Sequence, residues 1–566
     1  MSTEQDISCA LDALVRARPT FWFRSACGVT RSLAPIHAIV DRNAYSPETA
    51  RARVLLIGGL SGRNEDVDVA LHALELYAGG GDALSLRIAL SAVPCANPDG
   101  LRRNAGPENG SGGNPSGLYP PDGNFFFDAN DPEKRYLWRW ICFQAPDLVL
   151  EVQDGASVRW ETNQAARPLA PGVGARDLRD NSLLSALGTG YPDGLGSIPA
   201  LRLIASEDQL PRELSRLFGM IRQVGVWTPS EARKALDARR ARSKVEIARI
   251  LAAAYGHSFD PVVYTQGVPI SGRLRLAELD RRSGNPAPEI AGMLEEFTGQ
   301  SFPIFGEGLG PATLASVVWG AELTQATGDR RYADLIVAAA NRYESAERGQ
   351  PPTPSDPEFR TEDMFMNGAI LGRAYQLTGE SRYLDLLTQS LLDAKTQRPH
   401  GLFWHSRSAE YYWGRGNGFA AMGLAESLSY LRGDHPDRPA VLDMYRRLME
   451  SLRRLQHPSG LWGQVLDFPG SYLEFTAACM MGYAIARGLR YAWLSSDFRE
   501  VADLAWQGVA ERIDDVGNVV DACASTGVQH NVRDYLDRPA VFGFDDRSGG
   551  MALWFAVEME RLERGV

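Results

Sequence analysis

The segment Thr327-Gly-Asp-Arg-Arg-Tyr-Ala-Asp-Leu335 returns 51 residues later as Thr378-Gly-Glu-Ser-Arg-Tyr-Leu-Asp-Leu386. In each copy an apolar helical stretch stops at Thr-Gly, where glycine supplies a left-handed cap, and a new helix opens after the acid. That unit is a helical hairpin, and a fixed period implies hairpins stacked on one another. Extended outward with ordinary helix lengths, the pattern predicts six inner/outer pairs. Their inner helices start near Thr265, Gly310, Glu362, Trp413, Tyr472 and Gly549. An open α-solenoid or a closed (α/α)6 barrel would both satisfy the period. Tryptophans and carboxylates gather where the inner helices begin, which favours a barrel with a cleft ringed by short loops.

The first half has a different grammar. Arg53–Gly59, Leu84–Val93, Pro146–Val152 and Ile198–Ile204 read as apolar strands, with helical spacing over Asp66–Tyr77 and Tyr136–Phe143 between them. Alternating strands and helices predict an α/β domain with a largely parallel sheet. A Gly/Pro/Asn-rich loop fills 96–128, and a loop that long in a compact domain is usually functional. The expected organisation is multidomain: an α/β domain over 1–229, a helical linker over 230–260 and an all-α barrel over 261–566.

At 566 residues the chain exceeds what one core supports, and 44% apolar with 23% charged residues excludes wholesale disorder and coiled coil. A net charge of −11 argues against a nucleic-acid or anionic-membrane partner. No apolar run is long enough to span a bilayer, and the acidic, polar start does not read as a signal peptide. The expectation is therefore a cytoplasmic protein, with its six scattered cysteines reduced and structural and no metal site among them. Oligomerisation stays open.

Three segments of the helical half carry chemistry. Thr361-Glu-Asp-Met-Phe-Met366 places Glu362 and Asp363 at the head of an apolar helix, as a simple N-cap or as a general acid/base aimed into a cleft. Gly401-Leu-Phe-Trp-His405 and Tyr411-Tyr-Trp-Gly-Arg-Gly-Asn-Gly-Phe419 gather Trp404, His405, Tyr411, Tyr412, Trp413, Arg415 and Asn417. Aromatic faces suit sugar rings and an arginine fork suits a carboxylate. The third runs from Gly463 to Glu474, where Glu474 is either a helix cap or a cleft residue.

Taken together, Tyr264-Thr-Gln-Gly267, the repeated TGDxRY pattern, EDMFM (362–366), GLFWH (401–405), WGRGNG (413–418), LQHPSGLWGQVLD (455–467) and SYLEFTA (471–477) resemble glycoside hydrolase family 105. These are unsaturated rhamnogalacturonyl or glucuronyl hydrolases, kin of family 88. The resemblance implies an (α/α)6 barrel that removes a terminal 4,5-unsaturated uronic acid from oligosaccharides. An acidic residue protonates C4, water adds at C5, and the resulting hemiketal opens, with no cofactor. The family's catalytic aspartate falls on Glu362, a departure by one methylene, with Asp363 beside it. The resemblance places His405, Trp413, Arg415 and Asn417 in the cleft, Phe419 in place of a tryptophan, and Glu307 as the nearest second acid. The departure at Glu362 keeps open a hydrolase of saturated uronosides, or a non-catalytic carbohydrate-binding protein.

Residues 53–205 resemble the metallocarboxypeptidases without their metal ligands. Ser61 stands where the first zinc-binding histidine belongs, Asn64 or Glu65 at the second ligand, and Gln153 at the third. Asn97-Pro-Asp-Gly100 is kept, and the catalytic glutamate position falls near Ala205, with Glu207 two residues on. At most one suitable ligand remains where catalytic zinc uses three, which implies a pseudo-peptidase domain.

Overall fold

Ala52–Ile57, Ile88–Val93 and Leu148–Gln153 are neighbouring parallel strands in the computed structural model of the chain. The structure describes residues 3–104, 106–121, 128, 130–190, 194–224, 227–298 and 309–566. Of these three strands only Gln153 escapes full burial, because a parallel sheet is covered on both faces and its strands read as unbroken apolar runs. The sheet has eight strands in the order Trp22–Val29, Pro35–Asp41, Ile88–Val93, Ala52–Ile57, Leu148–Gln153, Ala200–Ile204, Arg159–Thr162 and Arg176–Asp177. Its first two strands pair antiparallel, which the sequence reading missed because Arg24, Ser25 and His37 break the apolar pattern. Leu84 also leaves its expected strand for a short helix, Gly81–Ser85, and the strand begins at Ile88.

The chain divides between Arg239 and Arg240 into this α/β unit, to which Phe468–Tyr472 also cluster, and a helical unit. The segment 230–256 is two helices instead of one. Glu231–Ala241 ends before Ser243, which opens Lys244–Ala254 with a reciprocal cap to Glu246. The second of these is no linker, because it packs on the last helix of the chain.

In the helical unit both copies of the repeat are built alike. Gly328 and Gly379 end their helices at φ 77° and 75°. Thr327 and Thr378 turn their hydroxyls back onto the carbonyls of Leu323 and Ala374, while accepting the amides of Asp329 and Glu380. Arg331 and Arg382 then close onto those acids. Six inner helices result: Tyr264–Leu279, a broken helix through Pro311–Leu314 and Gly320–Thr327, Thr361–Thr378, Gly414–Tyr430, Phe475–Arg490 and Asp546–Arg564. Each packs on the next, and the last packs on the first, so the ring closes. The observed starts fall within three residues of those read from the repeat.

Down the barrel axis the interior is layered. Tyr264, Phe365, Phe419 and Trp554 interlock below the helix starts, with ring centroids 6.0–6.1 Å apart. About three turns below the starts, each inner helix contributes one charged residue, and the signs alternate: Arg275, Glu322, Arg373, Glu426, Arg487, Glu558. Arg275 lies 2.8 Å from Glu322, Glu322 3.4 Å from Arg373, and Arg373 2.9 Å from Glu426. Glu426 pairs with Arg487, which reaches Glu558 at 3.0 Å. Tyr483 donates to Glu426 at 2.5 Å, and Arg275 lies 3.8 Å above the Trp554 ring. Burial alone would push the Glu426 carboxyl up, but Arg487, Arg373 and Arg275 hold it far below the usual range.

Candidate active site

Glu362 and Asp363 open the Thr361–Thr378 helix, where the macrodipole favours negative charge. The Thr361 amide donates to the His405 carbonyl at 3.0 Å, which fixes this helix start against the loop carrying His405. His405 Nε2 then lies 3.1 and 3.2 Å from the two Glu362 oxygens, and Nδ1 lies 2.5 Å from the Tyr535 hydroxyl. That hydroxyl accepts the Gln529 amide at 3.1 Å. A carboxylate can only accept, so Nε2–H donates to Glu362. Burial pushes the Glu362 carboxyl up, yet the charge and hydrogen bond of His405, with smaller help from Arg360, hold it below the usual carboxylate range.

Asp363 faces elsewhere. It accepts the Asp356 amide at 2.7 Å and lies 3.5 Å from Arg360, closing the loop that leads into the helix. Burial raises its carboxyl to about 7, despite Arg360 and the Asp356 amide, with Glu362 adding to the rise.

The remaining sequence candidates divide. Trp413 packs 4.5 Å from His405 and beneath the Arg415 guanidinium, and His405, Trp413 and Arg415 are all buried. Arg415 donates to the Cys523 and Ala524 carbonyls, so its fork grips backbone of its own chain. The Asn417 amide is fully buried and clamps Phe403 N, Phe403 O and Trp413 O. Of the two readings of Glu474, the structure shows the helix cap. At 0% exposure, its carboxylate caps the Phe475–Arg490 helix through Thr476 and Ala477 and takes the Cys523 amide at 2.8 Å. Trp404 stays half-buried at the rim with Arg398 4.1 Å over its ring. Glu307 lies outside the described residues.

Two features at this end of the barrel were not anticipated. Tyr535 comes from a short helix, Val532–Leu536, in an excursion between strands Val519–Cys523 and Ala540–Gly543. Asp546 and Arg547 open the last inner helix, with Gln266 Nε2 3.5 Å from Asp546 and Arg547 Nε donating to the Tyr264 hydroxyl at 2.9 Å. An acid–arginine pair at a helix start before Gly549-Gly550 was the available signal.

In the α/β unit, the Ser61 hydroxyl donates to Asp66, and Gln153 donates to Glu151 at 2.7 Å. Asn64 and Glu65 open the Asn64–Gly79 helix, and Glu207 pairs with His72 at 3.0 Å. A cavity of about 320 Å³ at the strand ends is lined by Glu151, Gln153, Asp180 and Arg202. Arg202 holds Glu151, Glu161 and Asp180 at 2.8–3.0 Å.

A closed ring of inner helices with a carboxylate–histidine pair at its helix starts defines an α/α barrel carrying a candidate acid/base site. Residues 321–563 match the family model Glycosyl Hydrolase Family 88. The chain is 29% identical over 157 residues to the unsaturated rhamnogalacturonyl hydrolase YesR of Bacillus subtilis, covering 27% of this chain and 42% of that protein. It is 22% identical over 173 residues to an unsaturated 3S-rhamnoglycuronyl hydrolase of an Alteromonas species, covering 28% of this chain and 41% of that protein. The match thus spans less than half the length of either relative. A family 105 glycoside hydrolase structure from C. acetobutylicum aligns with 55% of this chain and 99% of its own at 18% identity and a TM-score of 0.49.

Proposed function

We propose that the chain is a glycosidase that removes a terminal 4,5-unsaturated uronic acid from oligosaccharides by hydrating the double bond. The observation that carries this reading is the line Tyr535–His405–Glu362 at the head of a buried inner helix. Glu362 is assigned the acid/base role. In the free protein His405 stabilises its carboxylate; a substrate uronate brings a second negative charge and displaces water, and both raise the carboxyl towards the protonated form. Glu362 then gives its proton to C4 while water adds at C5 and returns a proton to the Glu362 carboxylate. The enol ether becomes a hemiketal, which opens to a ketone and releases the next sugar with its hydroxyl restored.

Ordinary glycosidases need two carboxylates flanking the bond. Asp363, the neighbour that could have been the second, is turned onto Asp356 and Arg360, which favours hydration over hydrolysis of saturated uronosides. The test is loss of the unsaturated-uronate absorbance on mixing the protein with lyase-digested oligosaccharides. Turnover of saturated uronosides with that band untouched would reject the reading.

The α/β unit is read as a carboxypeptidase-like domain without catalysis of its own. A hydroxyl and a carboxamide occupy two of the three ligand positions, and both are engaged in hydrogen bonds to neighbouring acids.

A further inference from the structure

An enzyme for unsaturated uronates must recognise a carboxylate at the sugar it protonates. The arginine singled out by the sequence, Arg415, is 2% exposed and gives both terminal nitrogens to backbone carbonyls. Arg547 is differently placed. It sits in the first turn of Asp546–Arg564, half-buried, with Nε fixed on the Tyr264 hydroxyl at 2.9 Å. Tyr264 opens the first inner helix, and its ring lies 6.0 Å from Phe365 and from Phe419. Phe365 is one turn below Glu362, and Phe419 one turn below Arg415, so Arg547 stands over the same aromatic floor as the proposed acid.

Among the described residues, the two terminal nitrogens of Arg547 meet no hydrogen-bond acceptor and no carboxylate. Both adjacent acids are otherwise engaged: Asp545 caps the helix through Ser548, and Asp546 accepts from Gln266. Gln266 Oε1 in turn is buried without a partner. A half-buried guanidinium, anchored at Nε with its outer pair of nitrogens open beside an unsatisfied amide oxygen, is a fork for a planar anion with a hydroxyl next to it.

Resting on the functional reading above, we infer that Arg547 binds the uronate carboxylate of the terminal sugar, that Tyr264 positions it, and that Gln266 Oε1 accepts a hydrogen bond from a hydroxyl of the same sugar. Arg547 is a specificity residue that contacts substrate; Tyr264 acts through it.

The experiment compares unsaturated oligosaccharide with its uronate methyl ester, reading KM and kcat separately. The wild-type protein should prefer the acid. Arg547→Met should raise KM for the acid by about 10- to 100-fold, as loss of a charge-assisted pair does, and bring acid and ester level while kcat changes little. Tyr264→Phe keeps the guanidinium and frees Nε, so it should narrow the preference by a smaller factor; it also serves if Arg547→Met fails to fold. Arg547→Lys should recover part of the preference. A wild-type protein that consumes the substrate, with Arg547→Met and Tyr264→Phe both retaining the full preference for acid over ester, overturns the assignment of Arg547 alone. A wild-type protein inert towards both substrates overturns the functional reading, and this inference with it.

Discussion

Glu362 and Asp363 are adjacent carboxyls, both buried, yet about 100° of helix separates their directions and gives them different partners. One meets an imidazole, the other a backbone amide and an arginine. Glu362→Gln should lower kcat about 10²- to 10⁴-fold in a folded protein, the range of a positioned general acid, while Asp363→Asn should leave turnover nearly intact. The reverse outcome in steady-state kinetics would move the acid by one residue. Asp363 has a separate signature in stability. Its carboxyl is raised to about 7 in the fold, so between pH 4 and 7 the folded chain holds a proton that the unfolded chain has released. That proton stabilises the fold at low pH and is lost as pH climbs through about 7. Melting temperatures measured across this window should fall for the wild type and stay flatter for Asp363→Asn. Arg415 belongs to the same scale: Arg415→Lys should lose the double grip on Cys523 and Ala524 and cost about 1.5–3 kcal/mol in denaturant unfolding, whatever it does to KM.

At the scale of elements, the repeat was legible because its chemistry is local: a threonine hydroxyl, a glycine and an acid–arginine clasp within six residues. Gly328→Ala and Gly379→Ala meet open space but force alanine to a left-handed φ, so each should lower stability by about 1–2 kcal/mol in denaturant melts. Equal, independent costs are expected if the two hairpins are equivalent. The buried parallel strands were legible for the converse reason, since a run apolar on both faces has little alternative. The antiparallel edge was not, because Arg24 and His37 interleave with apolar residues. The site followed the same rule. Glu362 and His405 stood in dense motifs, whereas Tyr535 and Arg547 reach it from excursions and helix starts far along the chain, where residue type alone carries no sign of direction. Asn417 and Glu474 bond to backbone of their own chain; a motif marks a residue as constrained without saying whether ligand or backbone constrains it.

For the whole molecule, the alternating charges inside the barrel are the most demanding feature. Glu426 is fully buried among Arg373, Arg487 and Tyr483, and removing it leaves two arginines short of a counter-charge. Glu426→Ala should cost about 3–5 kcal/mol, the range for breaking a buried ion pair, and a drop of less than 1 kcal/mol in chemical unfolding would contradict that. The last link of the circuit, Glu558, comes 71 residues after Arg487 and 68 after Arg490. During synthesis, a ribosome therefore delivers Arg487 and Arg490 long before the carboxylate they both bind at 2.7–3.0 Å. Until that residue emerges, Arg487 and Arg490 lack a carboxylate that the fold gives them, and burying a charge short of its partner is costly. Burial of these two arginines is thus coupled to docking of the Asp546–Arg564 helix.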